Sequence, residues 1–148
     1  MENAKKICVA GDHAGFELKE IVKKYLAERG FEVHDCGALD YDKDDAYPPF
    51  AKELARMVAA GECPRGVLFC GTGVGASIAA NRRKGVRAAL CFTPDMGALS
   101  RAHNDSNVLV LGSRTTPVET SIAILEAWLT GPFEGGRHEA RIRMLDED

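Results

Sequence analysis

Gly66-Val67-Leu68-Phe69-Cys70-Gly71-Thr72-Gly73-Val74-Gly75-Ala76-Ser77 runs from a continuous apolar segment into a glycine-rich turn and then into small residues that can open a helix. An unbroken apolar run of this length fits a strand buried on both faces, and a turn of this kind fits the entry to a crossover helix. Such a unit implies a parallel sheet, because parallel strands need a long crossover between them. It also places a thiol, Cys70, at the strand end, facing unpaired backbone N–H groups and the positive end of a helix.

The same alternation extends in both directions. Upstream, Lys6 to Ala10 reads as strand one. Leu18, Ile21, Val22, Tyr25 and Leu26 then recur at helical spacing until Gly30 stops the helix, and Phe31 to Cys36 is strand two. Residues 37–47 are aspartate-rich and aperiodic, a surface loop ending where Pro48-Pro49 starts a helix with Phe50, Leu54, Met57 and Val58 inward. Downstream, a short helix to about Lys84 leads to strand Val86–Cys91. Thr93 is placed as N-cap and Pro94 as first helical residue of a helix to about His103. Val108–Leu111 is the fifth strand and Pro117–Leu129 the next helix, with Ile122, Leu125, Trp128 and Leu129 on one face. The predicted fold is α/β, a three-layer α/β/α sandwich around a Rossmann-like five-stranded parallel sheet.

At 148 residues and 16.0 kDa the chain suits a single domain over residues 1–148. The segment from about residue 132, with Arg137–Asp148 too polar to build a core alone, is expected to pack on a second subunit. A net charge of -3 argues against nucleic acid as a partner, and no apolar stretch is long enough to cross a membrane. Met1–Lys6 lacks the apolar core of a secretory signal, so a cytoplasmic location is expected. The five cysteines are odd in number and include no C-x-x-C, which indicates neither a disulfide framework nor a cysteine-rich zinc site. Most are expected to be reduced core residues.

Ligands of parallel α/β sheets bind beyond the carboxyl ends of the strands. Strand one is followed by Gly11-Asp12-His13, strand three by Cys70 and its turn, and strand five by Gly112-Ser113-Arg114, while His103-Asn104 closes the fourth helix. Taken singly, each has a plain structural reading: Asp12 as a helix cap, His13 as a loop residue, Cys70 as a buried inert thiol, Arg137, His138 and Arg141 as helix-surface residues. His34, on an alternating strand, reads as structural. Their convergence favours proton transfer on a phosphorylated sugar. Arginine forks recognise phosphate, Arg137 and Arg141 share a helix face, and the amides of Gly71, Thr72, Gly73 and Gly75 suit an enediolate oxygen.

These residues also carry a resemblance. Gly11-Asp12-His13-Ala14-Gly15-Phe16, Cys70-Gly71-Thr72-Gly73-Val74-Gly75 with Ile78-Ala79-Ala80-Asn81, Ser100 through Val108, and Glu134-Gly135-Gly136-Arg137-His138 together resemble the ribose-5-phosphate isomerase B and galactose-6-phosphate isomerase family over almost the whole chain. The resemblance implies aldose–ketose isomerisation of ribose 5-phosphate to ribulose 5-phosphate through a cis-enediolate. It makes Cys70 the base and gives ring opening to His103, with Asp12 and His13 as neighbours that bind sugar oxygens. Asn104 and the amides of Gly71, Thr72, Gly73, Val74 and Gly75 would stabilise the enediolate. Arg114, Arg137 and Arg141, with His13 and His138, would hold the phosphate. One branch of the family places a glutamate where this chain has Ala76, which leaves Cys70 as the base here. The resemblance further implies a homo-oligomer, dimer or tetramer, with sites shared between subunits. Proton transfer of this kind needs no cofactor and no metal, and the sequence shows no clustered ligand set.

Three other readings stand beside it. A six-carbon substrate, allose 6-phosphate or galactose 6-phosphate, needs only a slightly roomier pocket. Gly71-x-Gly73-x-x-Ala76 also fits a dinucleotide fingerprint with Asp95 downstream, although that reading leaves Cys70 and the arginines without a role. A non-catalytic sugar-phosphate sensor would bind without turnover.

Overall fold

In a computed structural model, a 3-10 turn over Glu2–Lys5 leads into β1 (Lys6–Gly11), α1 (Phe16–Glu28), β2 (Glu32–Asp35), α2 (Tyr47–Ala59), β3 (Arg65–Cys70) and α3 (Val74–Asn81). The chain continues through β4 (Ala88–Leu90), α4 (Pro94–Asn104), β5 (Val108–Gly112), α5 (Val118–Thr130) and α6 (Arg137–Met144). The structure describes residues 2–148, with side chains from Ala4 onward. Met1, which begins the stretch read above as lacking a secretory core, lies outside the described residues. Among the described residues no helix is long and apolar enough to cross a membrane.

The strands form one parallel sheet in the order β2-β1-β3-β5-β4. Strand alternation divides the core. Cys8, Ala10, Leu68, Cys70, Val108 and Val110 face α2 and α3. Ile7, Val9, Val67, Phe69, Leu109 and Leu111 face α1 and α5, where Trp128 is fully buried. Both faces are covered, which is why these strands read as unbroken apolar runs. The expected cap at α4 is present, with Thr93 Oγ1 accepting from Met96 N at 3.2 Å.

Several boundaries differ from the sequence reading. α3 stops at Asn81 and β4 keeps only Ala88–Leu90, because the Asn81 side chain takes over the backbone of Ala88. Its amide donates to Ala88 O (2.9 Å) and its carbonyl accepts from Ala88 N (2.8 Å), occupying the outer rim of the edge strand. The expectation of no disulfide is corrected at one pair: Cys8 on β1 and Cys63 just before β3 are joined, both fully buried. Adjacent strands bring these two residues together across 55 positions, a separation that carries no sequence signal. Cys36, Cys70 and Cys91 are free, and burial pushes the thiols of Cys36 and Cys91 up to about 12 and about 11.

Lys19 occupies the apolar face of α1 and is fully buried. Its ammonium donates to both oxygens of Asp35 at 2.9 Å and to Ala38 O, pinning the loop that leaves β2. That loop also pairs with β1, through Gly11 N to Gly37 O and Ala38 N to Gly11 O, both 2.8 Å. Burial pushes the Asp35 carboxyl up, but hydrogen bonds from Lys23 and Lys19 outweigh it and hold the carboxyl below its ordinary value. Asp35→Ala is expected to cost about 3–5 kcal/mol in denaturant unfolding, since it strands a buried ammonium. A depressed carboxyl stabilises above its unfolded value and loses that contribution as the pH falls through the folded one. The wild-type advantage over the variant should therefore shrink in acid.

Candidate active site

The carboxyl ends of β1, β3 and β5 are neighbours in the sheet, so their loops meet at one edge. Cys70 ends β3 with 6% of its surface exposed, and Gly73 N–H donates to its sulfur at 3.2 Å. The sulfur thus accepts a backbone hydrogen bond at the entrance to α3. Gly73 makes this possible by adopting φ +84° as the N-cap of α3, a conformation that L side chains avoid. The turn is tied to β5 through Ser113 N to Cys70 O (2.9 Å) and Arg114 N to Gly71 O (2.8 Å). The Arg114 guanidinium consequently lies against Gly71, with Nη1 3.1 Å from where a Cβ at that position would stand. Thr72 Oγ1 accepts from Val74 N (3.2 Å), and Val74 is exposed.

Asp12 is buried, and its Oδ1 accepts from Gly15 N at 3.1 Å, closing the turn before α1, whose N-cap is Gly15 rather than the expected Asp12. His13 is half-buried and held twice by Asp45, whose Oδ1 lies 2.8 Å from both the His13 backbone N and ring Nδ1. The Asp45 hydrogen bond raises the imidazole above its ordinary value of 6.5. Burial opposes the shift, the charges of Asp12 and Asp45 add to it, and Arg114 subtracts from it. This favours a cationic His13 beside the Arg114 guanidinium. Asp45 Oδ2, by contrast, is buried without a hydrogen-bond partner. Tyr47 lies across Gly75, where an added Cβ would come within 2.5 Å of the ring. Asp45 lies in the aspartate-rich stretch 37–47 and Tyr47, at its end, opens α2; sequence reasoning assigned that stretch no role. Only the tertiary anchoring of that loop by Lys19 and β1 delivers them to this edge.

The remaining candidates assemble elsewhere. α4 runs from the carboxyl end of β4 back toward the start of β5, so His103 and Asn104 lie at the amino edge of the sheet. There the His103 and His138 rings stack with centroids 4.5 Å apart. Glu134 approaches both, Oε2 at 3.6 Å from His103 Nε2 and Oε1 at 3.9 Å from His138 Nε2. Burial, followed by the charges of His103 and Arg137, lowers His138 from its ordinary 6.5, so its neutral form dominates near neutrality. A cavity of about 270 Å³ opens here, lined by His103, Asn104, His138, Arg141, Ile142 and Leu145. Arg137 and Arg141 are exposed on α6.

One chain therefore holds two groups, a thiol with Asp12, His13 and Arg114 at one edge and a histidine–arginine group at the other. Among the described residues no hydrogen bond, ion pair or ring contact links them. The fold also corrects the expectation of no clustered ligand set. It brings together two possible donor groups, Asp12–His13–Asp45 and His103–Glu134–His138.

The sequence profile described as ribose/galactose isomerase matches residues 7–145. Ribose-5-phosphate isomerase B of Escherichia coli K12 is 48% identical over 141 residues, spanning 95% of this chain and 94% of that protein. The structure of a ribose 5-phosphate isomerase from Thermotoga maritima superposes with a TM-score of 0.93 at 50% identity, covering 97% of this chain and 98% of that one. The ribose-5-phosphate isomerase B of Mycoplasma genitalium, solved with ribulose-5-phosphate bound, gives 0.91 at 41% identity and 97% coverage of both chains.

Proposed function

This chain belongs to the ribose/galactose isomerase family, and on that premise we propose that it interconverts ribose 5-phosphate and ribulose 5-phosphate, with Cys70 as the proton-carrying base. The dinucleotide reading is set aside, since the similarity to isomerases runs through the whole chain, turn included.

The observation that carries the reading is the Cys70 sulfur at the mouth of β3, with the Gly73 N–H directed at it. In the proposed cycle His103 opens the furanose ring while Asp12 and His13 bind sugar oxygens. The Cys70 thiolate takes the proton from C2 of the open aldose, the C2–H electrons form the C1–C2 double bond, and the C1 carbonyl oxygen takes up negative charge. Amides of Gly71 to Gly75 and the Asn104 side chain stabilise that oxygen. The 2-hydroxyl proton passes to the C1 oxygen, and return of the carbon-bound proton from Cys70 to C1 then leaves a C1 hydroxyl and the carbonyl at C2. Arg114, Arg137 and Arg141 hold the phosphate, assisted by a cationic His13 and by the neutral His138 as an N–H donor.

This cycle needs both edge groups at one substrate, so a second copy is part of the proposal. β4 is an edge strand flanked by exposed Val74 and Ile78 on α3 and by Phe92, Met96 and Leu99 from the turn after β4 and α4. A two-fold axis beside β4, perpendicular to the strands, reverses the strand direction in the second copy. It would lay the Cys70 edge of one chain beside the α4–α6 edge of the other, twice over. The polar segment from about residue 132, whose helix α6 leans on its own α4 through the His138–His103 stack, would thus serve the neighbouring thiol. Sugar phosphates are charged and are retained where they are made, which fits the cytoplasm. The fully buried Cys8–Cys63 link is shielded from reductants there.

A coupled assay of purified protein on ribose 5-phosphate tests the reading directly, with allose 6-phosphate and galactose 6-phosphate run in parallel. Absence of turnover on the five-carbon substrate would overturn it. Arg137→Ala and Arg141→Ala are each expected to raise KM for ribose 5-phosphate about tenfold or more with kcat much less affected, as loss of a charge-assisted phosphate contact requires. Unchanged steady-state constants in both would remove α6 from the site.

A further inference from the structure

We propose that Asp12, His13 and Asp45 form a binding site for a zinc-class divalent metal ion, and that the bound ion competes with the sugar phosphate. The competition rests on the function proposed above; the metal site itself rests on geometry alone.

Asp12, His13 and Asp45 each offer one ligand atom, and these atoms lie within 4.8 Å of one another. Ligand atoms on a single zinc ion, at about 2.0–2.2 Å from the metal, sit no more than about 4 Å apart, so a small side-chain adjustment closes the group. One imidazole nitrogen with two carboxylates suits zinc or its first-row neighbours, whereas magnesium and calcium prefer oxygen alone.

A second observation points independently to a ligand. The Asp45 side chain is only 10% exposed, and its Oδ2 is buried without any hydrogen-bond partner. Both His13 donors converge on Oδ1, so the second oxygen is left uncompensated, a state that native carboxylates rarely keep. A cation beside it supplies the missing partner. The coordinating ring nitrogen is unprotonated in the complex, and a cationic His13 releases that proton to solvent.

The scaffold is already held in place. Asp12 is fixed by Gly15 N, the loop leaving β2 is bonded to Gly11, and the Tyr41 ring meets the His13 ring edge-on at 6.5 Å. The electrostatics separate this group from its counterpart at the amino edge. The charges of Arg137 and Arg141 act on His138, so a metal at His103–Glu134–His138 would meet two guanidinium groups. At Asp12–His13–Asp45 two carboxylates stand against Arg114. Because Asp12 and His13 are the proposed sugar-oxygen ligands, an ion there excludes the sugar.

The test is calorimetric titration with zinc chloride and optical titration with cobalt(II) of the purified protein and of Cys70→Ala, Asp45→Asn and His13→Gln. A single ion should bind wild type and Cys70→Ala alike, without sulfur-to-cobalt charge-transfer absorption. Affinity should fall at least about tenfold in Asp45→Asn and in His13→Gln. No binding, a sulfur band lost in Cys70→Ala, or undiminished affinity in the two ligand variants would each overturn the site. Should Asp45→Asn fail to fold, His13→Gln decides. In steady state, zinc should raise the apparent KM for ribose 5-phosphate without lowering kcat, and a chelator should reverse this. A fall in kcat at constant KM would overturn the competition alone. Titration needs no turnover, so an inactive protein would refute the isomerase assignment without touching the metal site.

Discussion

Cys70→Ala is expected to lower kcat on ribose 5-phosphate by about 10²–10⁴-fold, the range over which a positioned acid–base group accelerates proton transfer. KM should stay within a few-fold, because the sulfur contributes to the moving proton and little to holding the phosphate. The fold should survive: position 70 sits at the end of β3, and Ser113 N bonds its backbone carbonyl rather than its side chain. The sharpest measurement is by nuclear magnetic resonance in deuterium oxide, following loss of the C2 proton of the aldose. Wild-type exchange in the alanine variant would mean that another group removes that proton. The Gly73 amide at 3.2 Å would then be a structural contact to a buried thiol.

Mixing two inactive proteins should restore activity. Cys70→Ala destroys the proposed base and His103→Ala the proposed ring opener, and in a two-fold pair each site draws these groups from different chains. Random re-association of equal amounts yields mixed pairs with one intact and one doubly defective site, so about a quarter of wild-type activity should return. If both groups worked within one chain, the mixture would stay as inactive as its components. Activity measured after dilution to the monomer, or after Ile78→Asp on the exposed face of α3, should fall for the same reason.

Much of the fold was legible because its signals are local. β1, β3 and β5 are covered on both faces and read as continuous apolar runs, and Thr93-Pro94 marks a helix start by capping chemistry confined to four residues. Cys70 with its glycine turn was legible for the same reason. What stayed hidden depends on distance in the chain. Asp45 and Tyr47 sit in an aperiodic aspartate-rich stretch, and nothing local says that one will grip His13 and the other lie on Gly75. Lys19 looks like a surface charge until Asp35 and Ala38 arrive to solvate its ammonium. His103 is legible as the end of the fourth helix, but the sequence does not say that this end lies at the edge opposite the strand-end residues it was joined with. A one-dimensional reading gathers reactive groups more readily than it assigns them to edges.

Asn81 gives the sheet a defined boundary. By engaging both backbone polar groups of Ala88, its carboxamide closes the ladder that another extended segment would need in order to add on. In the proposed two-fold pair a neighbour approaches this flank through the exposed side chains of α3 and α4 instead. Growth by strand addition would run on indefinitely, whereas the proposed two-fold contact would be saturated by one neighbour. Removing that carboxamide should therefore threaten solubility before it threatens turnover.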